Sequence, residues 1–449
     1  MSVTAYPEYQ DSGVDWLGGV PAGWGIAILK RFLAEPMMYG ANQSADDDTV
    51  GHPRFVRITD IDQDGNLRDD TFRSLPPEIA APYLLTEGDI LLARSGATVG
   101  KSFMYRSSWG TCCFAGYLIR ARFRHAILTP DYVNYFCASS LYWAFIQSDQ
   151  IQSTIPNFSA ERYGAIPMPC PPTNEQSVIV AFLDHETAKI DALVAEQVQL
   201  IALLKEKRQA VISHAVTKGL DPNAPMKDSG VEWLGQVPAH WIPTMLGRVC
   251  IKVADGPHYS PEYTEAGILF ISARNIRVDG WSLDDAKYIS DEDYMEFCRR
   301  VVPEVGDVLY TKGGTTGIAR VVDILEPFQV WVHVAVIKIN KKSAVPYFIA
   351  YALNSTGCYE QSQLHTRGAT NQDLGLNRMT KIWLALPPLN EQLEIVAYLD
   401  GQIAKLDSLV NEAIRVVDIL KERRAALISA AVTGKIDVRG FVRPEQQDA

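Results

Sequence analysis

The sequence predicts an α+β protein: two mixed α/β domains in tandem repeat, separated by two long antiparallel coiled-coil helices with pseudo-two-fold symmetry. Three observations carry this expectation. Distinct motifs recur in the same order in the two halves of the chain, a heptad stripe runs through the closing helix of each half, and short β-rich runs divided by glycine turns fill each middle.

The duplication is read directly. DSGVDWLGGVPAGW, Asp11 to Trp24, returns as DSGVEWLGQVPAHW, Asp228 to Trp241, with eleven of fourteen positions identical. PPTNEQSVIVAFLDHETAKIDAL from Pro171 returns as PPLNEQLEIVAYLDGQIAKLDSL from Pro387, and KEKRQAVISHAVTKG answers KERRAALISAAVTGK. The offset is 217 between Trp16 and Trp233 and 216 between Glu175 and Glu391, so the 449 residues are two copies of one unit. Between these anchors FVRITDI at Phe55 answers FISARNI at Phe270, and EGDILLARSGATVG at Glu87 answers VGDVLYTKGGTTGI at Val305. The expected organisation is a leader at 1–24 repeated at 222–241, a first middle domain at 25–170, a central helical spacer at 171–221, a second middle domain at 242–386, a C-terminal helical spacer at 387–436 and a tail at 437–449.

Both spacers have a helical period. Val180, Leu183, Thr187, Ile190, Val194, Gln197, Ile201, Leu204, Arg208 and Val211 follow alternating steps of three and four, as do Val396, Leu399, Ile403, Leu406, Val410, Ala413, Val417, Leu420, Arg424 and Leu427. Such spacing over four heptads predicts a coiled coil, with Leu183, Ile190, Val194, Ile201, Leu204, Leu399, Ile403, Leu406, Val410, Val417 and Leu420 as its core. Asn174 and Asn390 are candidate N-caps, and Gly219 and Gly434 mark the ends. At about 1.5 Å per residue, some ~43 residues span roughly 65 Å. Each helix has two candidate partners, its own globular domain or the other helix. Two near-identical stripes in one molecule favour the second, as an antiparallel pair.

In the middles, GDILLAR, KSFMY and GYLIRARF, and then GDVLYTK, GIARVV and WVHVAVIKI, read as strands; an apolar helix (YVNYFCASSLYWAFI, YFIAYALNS) lies near each end. Gly96 to Ser102 invites a P-loop reading. It has one residue too few between its glycines, and the matching loop Gly313 to Gly317 lacks the lysine, so a Gly-rich hairpin is expected instead. The Gly-rich S-adenosylmethionine loop, the Asn/Asp-Pro-Pro-Tyr/Phe tetrapeptide, HExxH, GxSxG and the helicase motifs do not occur, so no catalytic residue and no metal ligand is assigned.

Composition bounds the remaining choices. A chain of this length with 47% apolar residues exceeds one core. The start MSVTAYPEYQ lacks a basic region followed by an apolar one, and no stretch of about 18 apolar residues occurs, so a soluble cytoplasmic protein without membrane contact is expected. Seven cysteines, an odd number without a CxxC pair, fit neither a disulfide framework nor a zinc cluster; Cys112 and Cys113 read as strand residues. A net charge of −11 weighs against nucleic acid, unless charge is segregated or partner subunits share the neutralisation of phosphates.

The candidates for nucleic-acid contact are basic, amide and aromatic residues. Arg120, Arg122 and Arg124 alternate along a strand, which puts three guanidiniums on one face; they meet phosphates or bases, or else pair with nearby Asp and Glu. Loops at matching positions, Tyr39-Gly-Ala-Asn42 with Asp255-Gly-Pro-His258 and Gln152 to Ile155 with Gly368 to Asn371, carry groups able to read base edges, though the same composition suits any turn. The candidate set comprises Tyr39, Asn42, Arg57, Arg94, Ser95, Lys101, the three alternating arginines and Thr154 in the first copy. In the second it comprises His258, Tyr259, Arg274, Asn275, Lys312, Arg367, Thr370 and Asn371.

The leader, the PPTNEQ and PPLNEQ helix openings, the GDILLARSGATVG and GDVLYTKGGTTGI hairpins and the KEKR and KERR helix ends resemble, in order and duplication, the specificity subunits of type I restriction-modification systems (HsdS). The resemblance covers nearly the whole chain. It implies that 25–170 and 242–386 are target recognition domains, each reading one half of a split asymmetric sequence in double-stranded DNA, with the paired helices as a ruler for the spacer. It implies two methyltransferase subunits that modify adenine at N6 and, where present, two restriction subunits. No cofactor is expected in this chain; S-adenosylmethionine, ATP and Mg2+ would sit on the partners. The family's recognition domains diverge too widely for base contacts to be carried over, and Tyr39-Gly-Ala-Asn42 departs from the more typical Asp255-Gly-Pro-His258. The competing reading is a coiled-coil adaptor whose two domains bind proteins or small ligands.

Overall fold

The computed structural model describes residues 4–62, 65–150, 157–367 and 373–442. The chain divides into two compact units, 1–197 with 415–449, and 198–414. The units repeat one architecture. In the first, strands β1 (Met38–Tyr39), β2 (Ile90–Ala93), β3 (Ser102–Met104) and β4 (Leu118–Ala121) form an antiparallel sheet in the order β1-β4-β2-β3. In the second, β5 (Cys250–Asp255), β6 (Val308–Thr311), β7 (Ala319–Val321) and β8 (Val334–Ile339) take the same order, β5-β8-β6-β7. A parallel pair stands beside each sheet: Arg54–Val56 with Cys112–Phe114, and Ile268–Ile271 with Phe328–Val330.

The side-chain period of two explains the apolar runs. In β2, Ile90 and Leu92 enter a core with Tyr132 and Phe136 of the helix Pro130–Cys137, whereas Leu91 and Ala93 enter a second core with Val56 and Phe114. In β6, Val308 and Tyr310 face one core and Leu309 the other. These central strands are buried on both faces, so they show no polar alternation. The β2–β3 connection is a hairpin, Leu92 pairing with Ser102. Gly96 to Ser102 thus joins strand to strand, and a P-loop needs a helix there.

The spacers form α1 (Thr173–Lys218) and α2 (Leu389–Val432). Asn174 and Asn390 do not cap them. The carbonyls of Pro172 and Pro388 accept the first helical bonds, from Gln176 N at 2.9 Å and Gln392 N at 3.0 Å, which draws both asparagines into the first turn. Gly219 and Gly434 follow the ends with φ of 76° and 69°, the left-handed conformation that stops a helix. A Cβ on Gly434 would also collide with the Pro21 ring.

Along α1, Leu183 and Ile190 are buried and Val194, Ile201 and Leu204 half-buried; along α2, Leu399, Ile403, Leu406 and Val417 are buried and Val410 and Leu420 half-buried. The helix segments run antiparallel within each unit. In the first, Ile179, Phe182 and Leu183 share a core with Ile428, Ala431 and Val432, and Asp191 meets Arg424 at 2.8 Å. In the second, Ile212, Ala215 and Val216 share a core with Ile395, Leu399 and Ile403, and Arg208 meets Asp407 at 3.3 Å. The two ion pairs are repeat equivalents, each residue 216 positions from its counterpart.

The repeated motifs turn out to be clamps. Gln176 is fully buried; its amide accepts from Thr129 N at 2.8 Å and donates to the carbonyls of Ile127 and Pro171. Gln392 accepts from Val345 N at 2.7 Å and donates to Ser343 and Pro387. The neighbouring glutamates hold the leaders: Glu175 accepts from Trp24 Nε1 at 3.1 Å and from the Tyr6 hydroxyl, and Glu391 accepts from Trp241 Nε1 at 3.0 Å and pairs with His240. Glu175→Ala orphans two buried donors and is expected to destabilise the first unit by about 2–4 kcal/mol, with Glu175→Gln recovering part of that. Denaturant unfolding followed by tryptophan fluorescence tests it; unchanged stability of the alanine variant would remove the clamp from the account.

Candidate nucleic-acid interface

The surface that could meet a polynucleotide is built at the ends of β1 and β2 in the first unit and of β5 and β6 in the second. Gly40 and Gly256 place those loops: a Cβ on either would run into the backbone of the neighbouring strand, at Phe114–Ala115 and at Val330–Trp331. Close packing of the glycine brings the residue before it, Tyr39 or Asp255, against the basic residue that follows the second strand, Arg94 or Lys312.

The equivalent pairs differ in chemistry. In the first unit the Arg94 guanidinium lies over the Tyr39 ring, 4.8 Å from its centroid, and the Tyr39 hydroxyl accepts from Ala160 N at 3.1 Å. Arg94 N donates to the carbonyl of Tyr117, a residue 67% exposed. Asn42 and Lys101 are exposed, and Ser95 is half-buried and bridged through its backbone to Asn157. In the second unit Lys312 is buried, with its ammonium 2.8 Å from Asp373 and 3.3 Å from Asp255. Arg300 donates to the Asp255 carboxylate and approaches His258 Nε2 at 3.0 Å. Burial pushes the Asp255 carboxyl up, but the Arg300 hydrogen bond and the charges of Lys312 and His258 outweigh it and hold the group below the ordinary carboxylate value. His258 and Tyr259 are exposed, with the Tyr259 ring edge-on to Phe297. Arg274 and Arg367 are exposed too, Arg367 pairing through its backbone with Asp373.

The other candidates serve the fold. Arg120 is buried on Glu35 and the Leu84 carbonyl, Arg122 makes two 2.7 Å bonds to Asp89, and Arg124 donates to the carbonyls of Leu33 and Arg31. Burial, then repulsion from Arg122, lowers the pKa of Arg120, whereas the Asp89 hydrogen bond raises that of Arg122. Of the two readings of this arginine face, the geometry is that of internal pairing. Asp89 also accepts from Thr86 N, and its counterpart Asp307 accepts from Glu304 N and pairs with Lys338, so the repeated Gly-Asp is a turn cap that seats a strand cation. Arg57 and Asn275 close equivalent turns, Arg57 by bonding Asp60 and Asn275 by accepting from Ser272. Thr154, Thr370 and Asn371 lie outside the described residues.

Tyr117, Asp373 and Arg300 join the site without having been singled out, and Asp255 was named only as part of its loop. The in-register comparison of β1 with β5 holds the signal for Asp255. Arg300 follows a helix, Asp291–Cys298, whose place in the first copy is taken by the four-residue helix Pro77–Ala80. Among the described residues no group of three His, Cys, Asp or Glu is placed to hold a metal, and no helix is long and apolar enough to cross a membrane.

The profile of the family described as "Type I restriction modification DNA specificity domain" matches residues 67–201 and 257–416, one stretch in each copy and more than half of the chain. The chain belongs to this family. Its members include the EcoKI specificity subunit of Escherichia coli K12, 23% identical over 444 residues covering 93% of this chain and 90% of that one. The MjaVIII specificity subunit of Methanocaldococcus jannaschii is 21% identical over 442 residues, covering 93% and 100%. A solved structure described under "complex assembly and conformational transition of the type I R-M system" shares the fold at a TM-score of 0.69 and 17% identity, covering 92% of this chain and 98% of that one. As a type I specificity subunit the chain belongs to the component of such systems that is not itself catalytic.

Proposed function

We propose that this subunit reads a bipartite, asymmetric DNA target, each recognition domain taking one half, while the paired helices set the spacer and seat two copies of one methyltransferase subunit. The carrying observation is that two units of identical sheet order present different chemistry at equivalent positions, Arg94 on Tyr39 and Lys312 on Asp255. One frame with two different faces suits one duplex with two different half-sites. Adenine N6 methylation with S-adenosylmethionine, and ATP- and Mg2+-dependent cleavage where two restriction subunits join, belong to the partners in this reading.

The helices support the two-partner arrangement. Leu193, Leu200 and Leu203 on α1 are exposed and share one flank of the heptad stripe, and their repeat equivalents Leu409, Val416 and Ile419 on α2 are exposed as well. The same apolar surface presented twice suits two copies of one partner. Partner subunits that also enclose the DNA reconcile phosphate binding with a net charge of −11.

The test is co-expression with a cognate methyltransferase subunit and single-molecule sequencing of the methylome. A two-part motif with methyladenine in each half is the expected result. An unmethylated genome from a demonstrably assembled complex would overturn the proposal in favour of an adaptor, and methylation by the isolated chain would make it an enzyme.

A further inference from the structure

We propose that Arg94 is a specificity-determining residue that reads a guanine in the half-site of the first domain, whereas Lys312, at the equivalent position of the second, reads no base and holds the fold. The inference rests on the DNA-reading function proposed above and assigns a task within it.

Arg94 and Lys312 occupy the same place after equivalent strands, each donating its backbone N–H across the sheet, to Tyr117 and His333 respectively. Their side chains are committed differently. The Lys312 side chain is 5% exposed and its ammonium lies between two carboxylates, so its charge is already neutralised within the fold. Freeing it would leave Asp255 and Asp373 facing each other without their shared cation, a cost that a base edge cannot offset. Arg94 forms no ion pair among the described residues, and its Nε is buried without a hydrogen-bond partner. Its guanidinium lies over the Tyr39 ring, which is fixed in turn through its hydroxyl by Ala160 N. A guanidinium stacked in this way has lost much of its rotamer freedom before binding, yet still has a fork of donors to give.

Chemistry then selects the ligand group. A planar fork with parallel N–H donors matches the two acceptors, O6 and N7, that guanine presents in the major groove, the pairing most often used to specify a base. A phosphate is the alternative acceptor, and the two behave differently on mutation. Loss of a base contact relaxes one position of the target, whereas loss of a phosphate contact weakens all sequences alike. Tyr117, whose carbonyl accepts the Arg94 backbone N–H, is exposed in the turn before the neighbouring strand.

The experiment uses the complex of the full chain with its methyltransferase subunit. The methylome gives the wild-type motif, and short duplexes carrying it, each with one base pair of one half replaced, are titrated against wild type, Arg94→Gln, Arg94→Lys and Lys312→Met. Wild type is expected to discriminate against replacement of one guanine by about 5- to 150-fold. In Arg94→Gln that ratio falls towards one at that guanine alone, and the methylome shows the position degenerate with the other half intact. Lys312→Met leaves every ratio at its wild-type value and lowers the melting temperature. A ratio between two duplexes on the same variant is insensitive to a general loss of folded protein, and Arg94→Lys keeps the charge and its donors while removing the planar fork, so its ratio falls between those of wild type and Arg94→Gln. The proposal is overturned if Arg94→Gln weakens all duplexes equally with its ratios retained, if the half-site concerned contains no guanine, or if Lys312→Met relaxes a base. A wild-type complex that methylates no bipartite motif would instead overturn the DNA-reading function itself.

Discussion

Removing one heptad from each long helix, residues 194–200 of α1 and 410–416 of α2, is expected to shorten the unread spacer of the target and leave both half-sites unchanged. Seven residues cover about 700°, within ~20° of two turns, so the stripe stays in phase. Ile190 would be followed by Ile201 and Leu406 by Val417, each at a step of four. The deletions are repeat equivalents and spare Asp191, Arg208, Asp407 and Arg424, so the ion pair within each unit is kept. Each helix loses about 10 Å. With DNA rising ~3.4 Å per base pair, the spacer contracts by up to about three base pairs. Deletion from one helix alone offsets its stripe from the other's and is expected to cost assembly instead. Methylome sequencing reads both motifs; a change of bases in either half, or a spacer of unaltered length in an active complex, would contradict the ruler.

Most of the frame is legible in the sequence because its signals are local or repeated. A heptad stripe is a property of consecutive residues, and a duplicated NEQ is visible by comparing the chain with itself. What each residue of the motif does was not visible. Glu175 bonds Trp24 across 151 positions and Gln176 bonds Thr129 across 47, so both roles exist only once the leader and the helix Pro130–Cys137 are packed. The interface was harder still. The three alternating arginines carry the sequence signature of a binding strand, yet their partners Glu35 and Asp89 lie 85 and 33 positions away and arrive through the sheet order β1-β4-β2-β3. Lys312 is hidden by Asp373, 61 positions on. Long-range pairing decides whether a basic residue is free to bind, and composition does not record it. The comparison of the two copies does align Tyr39 with Asp255, and the structure puts both at the ends of equivalent strands, β1 and β5.

Replacing residues 25–170 with the corresponding segment of another family member is expected to change one half of the methylated motif completely and to leave the spacer and the other half intact. The segment begins and ends in one two-stranded ladder: Gly25–Ile28 pairs antiparallel with Pro167–Cys170, Gly25 facing Cys170. Its two junctions are therefore neighbours, so both cuts in the chain fall at one place on the frame. The Trp24–Glu175 clamp lies just outside that ladder and stays with the frame, as do Gln176 and the first turns of α1. The second unit has the same socket, Ile242–Met245 against Trp383–Leu386 with Ile242 facing Leu386 and the Trp241–Glu391 clamp just outside. Equivalent sockets make a sharper version of the experiment available. Residues 25–170 placed also in the position of 242–386 should yield a target whose two halves carry the same bases, because two copies of one face then sit on a duplicated frame. If the doubled chain assembled with its methyltransferase subunit but kept an asymmetric motif, base choice would have to reside in the leaders and helices and not in the diverged middles.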